Sequence, residues 1–288
     1  MSWAAQLRRL TQCRLYSSHK NHKPRSLPRT RIKREAEGDL RLSEAQRDAF
    51  RLLKERGGPL MPGTFISFPM SQYPGNLSDK WQYQKARTTT WAIETASLLA
   101  LKVSSMPSWT QRPRWKARQS AITPTGVALH REALEAFAAG DGETLRRICV
   151  GHHAEKLTAS LDRRPRREGV RFTIDLPTWS LWYPRLMSHM VGRLEPTTMM
   201  EQAVVAVASR QRLSRYNLTT GVEIPGSLRL QNKVEYVVLS RIVDCVTYES
   251  KPWRLWGTVT PTTLEEYVKN KIALEQEVIH KAGWKKPS

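Results

Sequence analysis

The chain has 288 residues, 40% of them hydrophobic, which is enough to bury one good core and no more than two. Its 47 Lys and Arg against 26 Asp and Glu give a formal charge of +21, which excludes a cationic partner and points to a polyanion, either nucleic acid or an anionic membrane surface. Cys13, Cys149 and Cys245 stand far apart, with no Cys-x-x-Cys pair and no clustered His, so neither a zinc site nor a disulfide framework is signalled and a reducing compartment fits best.

Residues Met1 to Tyr16 carry Arg8, Arg9 and Arg14, no acid, and Trp3, Leu7, Leu10 and Cys13 along one helical face. This is the amphipathic, Arg-rich, acid-poor pattern of a mitochondrial presequence, and Arg14-Leu15-Tyr16 before Ser17-Ser18 looks like a matrix-processing site. A basic start without a targeting role is the alternative. Removing its three cations from +21 leaves +18, still strongly basic. Ser17 to Arg34 adds Lys20, Lys23, Arg25, Arg29, Arg31, Lys33 and Arg34 around Pro24 and Pro28. Such a block repels itself and has nothing apolar to bury, so it is expected to order only against phosphate. We take Arg25, Arg29, Arg31, Lys33 and Arg34 as candidate RNA contacts.

Ser43 to Arg56 reads as a short helix ended by Gly57-Gly58-Pro59. The next stretch, PLMPGTFISFPMSQYPG, mixes four prolines with Phe65, Ile66, Phe68 and Tyr73 and reads as an extended strap packed on another surface. A longer helix is predicted from Ser78 to about Ser104, with Trp81, Trp91, Ala92, Leu98, Leu99 and Leu101 as its apolar stripe. Its least polar part, Trp91 to Met106, is sixteen residues long and contains Glu94 and Lys102, whereas a span needs about 20 apolar residues. Any membrane association is therefore expected to be peripheral. In WTQRPRWKAR, Arg112, Arg114, Lys116 and Arg118 interleave with Trp109 and Trp115. These cations are further candidate RNA contacts, while stacking and plain structural packing both stand open for the tryptophans.

The folded domain is expected to begin near Thr123, as an N-cap with Pro124 at the first helical position, and this helix ends at Gly140. His130 lies at helical spacing with Val127, Leu134 and Phe137 and reads as a surface or packed residue. Asp141 starts a second short helix and HHAEKLTASLDRR a third. Adjacent His152 and His153 face different ways on a helix and lack a third ligand, so no metal is expected. Arg163, Arg164, Arg166 and Arg167 form a basic loop, and a first strand region follows from Val170 to Trp182. The chain then runs through Leu186 to Leu194 and turns at Pro196. Three strand-like segments close the sheet: MEQAVVAVASRQRL, KVEYVVLSRIVDCVTY and PWRLWGTV. The second places Val234, Tyr236, Val238 and Ile242 on one side and Glu235 and Arg241 on the other, the alternation of a half-buried strand. Asn217 to Gln231, with Gly221, Pro225 and Gly226, reads as the loop of a long hairpin. A helix from Thr262 to about Lys281 offers Leu264, Tyr267, Val268, Ile272 and Leu274 to cap the sheet. Leading helices and a following antiparallel sheet make an α+β domain, expected as helices on a curved, cone-like sheet with an extended N-terminal arm.

The residues resemble a known family at several points. Ala138 to Asp141, then Leu145 to Cys149, then Leu157 and Arg163, are similar to the helical lead of the domain shared by the Tim-forty-four import-motor scaffold and the large-subunit protein forty-five family of mitochondrial ribosomes. Ser209-Arg210-Gln211, Glu235 to Val238 and Pro252-Trp253-Arg254-Leu255-Trp256-Gly257 are similar to its strands. The resemblance covers about Thr123 to Val259. An import-motor scaffold should carry a long Lys- and Glu-rich helical segment, and none is present, so the ribosomal branch, with its fungal inner-membrane ribosome receptors, is the better match.

That resemblance implies a division into a presequence (1–16), a basic arm (17–122), a Tim-forty-four-like domain (123–281) and a tail (282–288). It implies a structural, non-catalytic component of the large mitochondrial ribosomal subunit near the polypeptide exit site. Its expected partners are ribosomal RNA, neighbouring ribosomal proteins, anionic inner-membrane lipid and the membrane insertase, with no cofactor or small-molecule substrate. It would lie in the matrix, peripheral to the inner membrane, with Arg163, Arg164, Arg166 and Arg167 facing lipid. An import-motor adaptor is the alternative. An enzyme would need more than Asp175 and Asp244, which lack a visible partner, and there is no phosphate-binding Gly loop, nucleophile elbow or metal box.

Overall fold

Every residue from Glu201 to Val207 is buried, so both faces of the sheet are covered at that point. The computed structural model describes residues 57–281 except 70, 71, 74, 166, 176–181 and 196. All of them belong to one compact unit, Leu53–Ser288. The expected presequence, basic segment and Ser43 helix lie outside the described residues.

The element order is α1 (Leu77–Ser104), α2 (Gln119–Ala139), α3 (Gly142–Ile148), α4 (Gly151–Asp162), β1 (Glu168–Asp175), β2 (Arg185–Glu195), β3 (Thr198–Asn217), β4 (Arg229–Asp244), β5 (Arg254–Val259) and α5 (Leu264–Lys281). This is an α+β fold with one antiparallel sheet ordered β1-β3-β4-β5. β2 shares the β1 edge of β3, pairing with Thr198 to Ala206 while β1 pairs with Arg210 to Asn217. The expected three-strand meander is present as β3, β4 and β5. The stretch through Leu186 to Leu194, read as connecting chain, is instead the strand β2, because His189 and Met190 on its two faces are both buried.

Odd-numbered residues of β3, Ala203, Val205 and Val207, form the main core with α2, α3 and α4. α2 lies flush on the sheet at Gly126, where an added Cβ would meet Val205 Cγ2 at 3.0 Å. The helix begins at Gln119, not at Thr123, so Pro124 is inside it. Burial of Ile122 in the core holds the extra turn and offsets the backbone hydrogen bond that proline forgoes. Asp141 caps α3 as expected, accepting from Glu143 N at 3.1 Å and Thr144 N at 3.0 Å.

Even-numbered Val204 and Ala206 meet Ile66 of the proline-rich strap on the opposite face. The strap is held by Gln202, which accepts from Met61 N at 2.8 Å and donates to Pro59 O at 3.0 Å. Trp256 Nε1 donates to Gly58 O at 3.0 Å.

α1 buries only the end of the stripe expected of it, Leu101 with Leu98 packed beside it. Its inward face is Tyr83, Ala86, Thr90, Glu94 and Leu101, while Trp81, Trp91 and Leu99 are exposed. Aromatic packing sets this rotation, since Phe65, Phe68 and Tyr73 gather round Tyr83 with ring centroids 5.0 to 6.0 Å apart. The Tyr83 hydroxyl accepts from Phe68 N at 2.9 Å. α5 starts with a reciprocal cap between Thr263 and Glu266, both bonds 3.1 Å. Instead of capping the sheet, it sets Leu264 and Tyr267 against Phe65 and Tyr83 and leaves Val268 and Ile272 exposed.

Among the described residues, no helix is long and apolar enough to cross a membrane.

Candidate nucleic-acid interface

β3 is longer than the helices that cover it. Past Ser209 its residues alternate between two faces that the register of β1 and β4 extends sideways. Arg210 and Arg212 share a face with Tyr216, with Arg171 of β1 opposite Ser214, and with Leu230 and Asn232 of β4 opposite Arg212 and Arg210. Arg171, Arg210, Arg212, Leu230 and Asn232 are all exposed. The Arg171 guanidinium lies 5.5 Å from the Tyr216 ring centre.

Pairing distinguishes the two faces. On the side continuous with α2, Arg215 reaches Glu168 at 3.3 Å and Lys233 reaches Glu235 at 2.7 Å. On the other side Arg171, Arg210 and Arg212 have no carboxylate partner among the described residues, although Asp175 stands opposite Arg210 in the register. Guanidinium groups with an aromatic ring on an uncovered sheet can contact phosphate and stack on bases of a single strand. These three arginines escaped the sequence reading because Arg171 is distant in the chain from Arg210 and Arg212 and they form no run. Strand alternation, with charge where an apolar face was expected beyond Ser209, was the available signal.

The strap before α2 contributes a second basic edge. Arg112, Arg114, Lys116 and Arg118 are exposed, because Trp115 and Ala117 between them turn inward against Leu101 and Val243. Trp115 is 2% exposed and Trp109 is 90% exposed, so the first is core and only the second is available for stacking. Trp115 Nε1 has no hydrogen-bond partner among the described residues. Arg163 and Arg167 are exposed. Arg164 is drawn inward: its guanidinium lies 4.2 Å from the Phe137 ring and donates to Ala138 O at 3.2 Å, at the C-terminal end of α2. Arg166, and Arg25, Arg29, Arg31, Lys33 and Arg34, lie outside the described residues.

Glu235 and Arg241 do not face solvent as the alternation suggested, because α2 covers that side. Glu235 meets buried His130 at 3.0 Å. Burial alone would raise its carboxyl, but the His130 and Lys233 hydrogen bonds prevail and hold it at about 2. Glu201, fully buried, is likewise raised by burial yet lowered overall by His189 and Arg241. With His189 and Glu201 both closed to solvent, this pair offers no access to a substrate. Asp244 caps a turn, accepting from Val246 N at 2.7 Å and Thr247 N at 3.0 Å, and Asp175 is exposed. Burial, then the neighbouring His152 and Lys156, lowers His153 to about 4, so it is neutral at pH 7. The described residues contain no group of three or more His, Cys, Asp or Glu placed to hold a metal.

No protein-family model matches the chain, and no curated protein matches its sequence.

Proposed function

We propose that this protein is a non-catalytic component of the large mitochondrial ribosomal subunit, built on a cone-like Tim-forty-four-like domain. Basic extensions and an arginine-bearing sheet face would bind ribosomal RNA beside the polypeptide exit site. The observation that carries this reading is the sheet face with exposed Arg171, Arg210 and Arg212, none of them tied to a carboxylate among the described residues. It lies on a chain of charge +21 that also exposes Arg112, Arg114, Lys116 and Arg118, on the strap packed near the other end of β3. Neutralising phosphates with such side chains releases counterions, so affinity falls steeply with salt. The resemblance of Pro252 to Gly257 and of Leu145 to Cys149 to that family supports the ribosomal assignment. Anionic inner-membrane lipid would meet Arg163 and Arg167 peripherally, in the matrix, near the insertase.

The test is a gradient of mitochondrial lysate. Cosedimentation with the large subunit at low salt, and release as salt rises, is the expected result. Free migration at low salt would sink the proposal, and affinity capture of translocase subunits without ribosomal proteins would favour an import-motor adaptor.

A further inference from the structure

A cavity of about 530 Å³ opens between α1, the strap and the start of β2, away from the arginine sheet face. Its size falls in the range of sites for small organic ligands, roughly 300–1,000 Å³. Three kinds of group line it. Arg87 of α1 and Arg185 of β2 are the cations; Arg87 donates to the Tyr73 hydroxyl at 3.3 Å, and Arg185 to Met187 Sδ at 3.1 Å, and among the described residues neither is matched by a carboxylate. Trp91 presents an indole that is 66% exposed although it belongs to a well-packed helix. Glu94 is the buried acid, hydrogen-bonded to the Ser188 hydroxyl and to the backbone N–H of His189.

The order of these groups along α1 is informative. Arg87, Trp91 and Glu94 follow one another at about one-turn intervals on one side of the helix, so they span about 10 Å along its axis. Cation, flat aromatic and hydrogen-bond acceptor thus come in the sequence in which a nucleotide presents phosphate, base plane and the N–H groups of the base edge. Phe65 and Leu186 supply apolar walls beside the indole. Arginine suits the phosphate because its planar fork binds two oxygens at once. A carboxyl group suits the base edge because it accepts from ring and exocyclic N–H groups.

We propose that this cleft binds a nucleoside monophosphate unit, with Arg87 and Arg185 on the phosphate, Trp91 against the base and Glu94 at the base edge. The inference goes beyond the RNA-binding face and does not depend on it. A free nucleotide and a nucleotide unstacked from RNA share this chemistry, and the ethanolamine headgroup of a phospholipid offers a phosphate and N–H donors without the base.

The experiment is calorimetric titration of the full chain with AMP, CMP, GMP and UMP, and with inorganic phosphate and phosphoethanolamine as baseless probes. At least one nucleotide is expected to bind about tenfold more tightly than either baseless probe, the worth of one stacked base. Trp91→Ala is expected to remove that preference and Arg87→Ala to weaken nucleotide binding by about tenfold, while Lys156→Glu, exposed on α4 and part of neither site, leaves it unchanged. Both α1 substitutions are at exposed positions, so circular dichroism serves as the folding control. Equal binding of nucleotide and baseless probes, no nucleotide binding, or insensitivity to either α1 substitution would overturn the proposal. Competition with a single-stranded RNA separates the sources: displacement of bound nucleotide assigns the cleft to an unstacked RNA base, and none assigns it to free nucleotide. Ribosome association is a different measurement, so loss of one with retention of the other tells the two proposals apart.

Discussion

Glu201 and Arg241 stand directly opposite each other on β3 and β4, and the guanidinium holds both carboxylate oxygens, Nε to Oε2 at 2.8 Å and Nη2 to Oε1 at 2.9 Å. His189 adds a contact to Oε1 at 2.8 Å, and Trp253 covers the guanidinium at 4.3 Å. Glu201 is 0% exposed, so losing its partner strands a buried charge. Arg241→Met is expected to lower the unfolding free energy by about 3–5 kcal/mol in urea denaturation. Adding Glu201→Leu should restore part of that loss, since no charge then remains to desolvate. A double variant weaker than the single one would contradict this account.

Glu94 and Glu235 should respond to pH in opposite directions. Burial raises Glu94 to about 7 from the ordinary 4.5, against the lowering hydrogen bonds of Ser188 and His189. The folded state then holds the proton more tightly than the unfolded state does. The stability is full below about 4.5 and is lost as pH rises through about 7. Glu94→Gln should be near neutral at pH ~5 and raise stability by about 1–3 kcal/mol at pH ~8, read by thermal unfolding.

Glu235, lowered to about 2, contributes stability above 4.5 that is lost as pH falls towards 2. Glu235→Gln should cost about 1–3 kcal/mol at pH ~7 and little at pH ~2. Lys233 is half exposed, so most of that loss should come from the bond to His130.

The two tryptophans of the basic strap should differ in kind. Trp115→Ala empties a core site between Leu101 and Val243 and is expected to cost about 3–5 kcal/mol. Trp115→Phe should lose much less, because it keeps most of the ring and removes an N–H with no partner. Trp109→Ala should stay within about 0.5 kcal/mol of the parent. Guanidinium denaturation of the three variants checks this order.

Charge reversal on the sheet face should act on RNA and not on folding. Arg171→Glu, Arg210→Glu and Arg212→Glu lie at exposed positions. Each is expected to reduce the slope of log affinity against log salt by about 1 in fluorescence titration with a single-stranded RNA. Unchanged slopes would show that phosphate is bound elsewhere.

The order of helices and strands, β2 excepted, was legible because local rules decide it. Asp141 before Gly142-Glu143 caps a helix start, Gly140 at φ 79 ends one, and Val234, Tyr236, Val238 and Ile242 set against Glu235 and Arg241 mark a strand. The aromatic residues of the Leu60 to Tyr73 stretch, too proline-rich for a helix, were legible as a packed strap for the same reason.

Which surface each residue meets was not legible, because that depends on layers contributed from far along the chain. Alternation put Glu235 and Arg241 on one side of β4 but could not say that α2 would cover that side, so two charges expected in water became partners of His130 and Glu201. Helical spacing put Trp91 in a stripe but could not foresee that Tyr83, gripped by Phe65, Phe68 and Tyr73, would turn that stripe outward. Arg171 was distant in the sequence from Arg210 and Arg212 until β1 paired with β3. By itself the sequence determined the fold class, the basic character and the local elements. Tertiary packing alone decided which charges are buried in pairs and which are left exposed, because burial depends on what lies above a face, and periodicity records only the face.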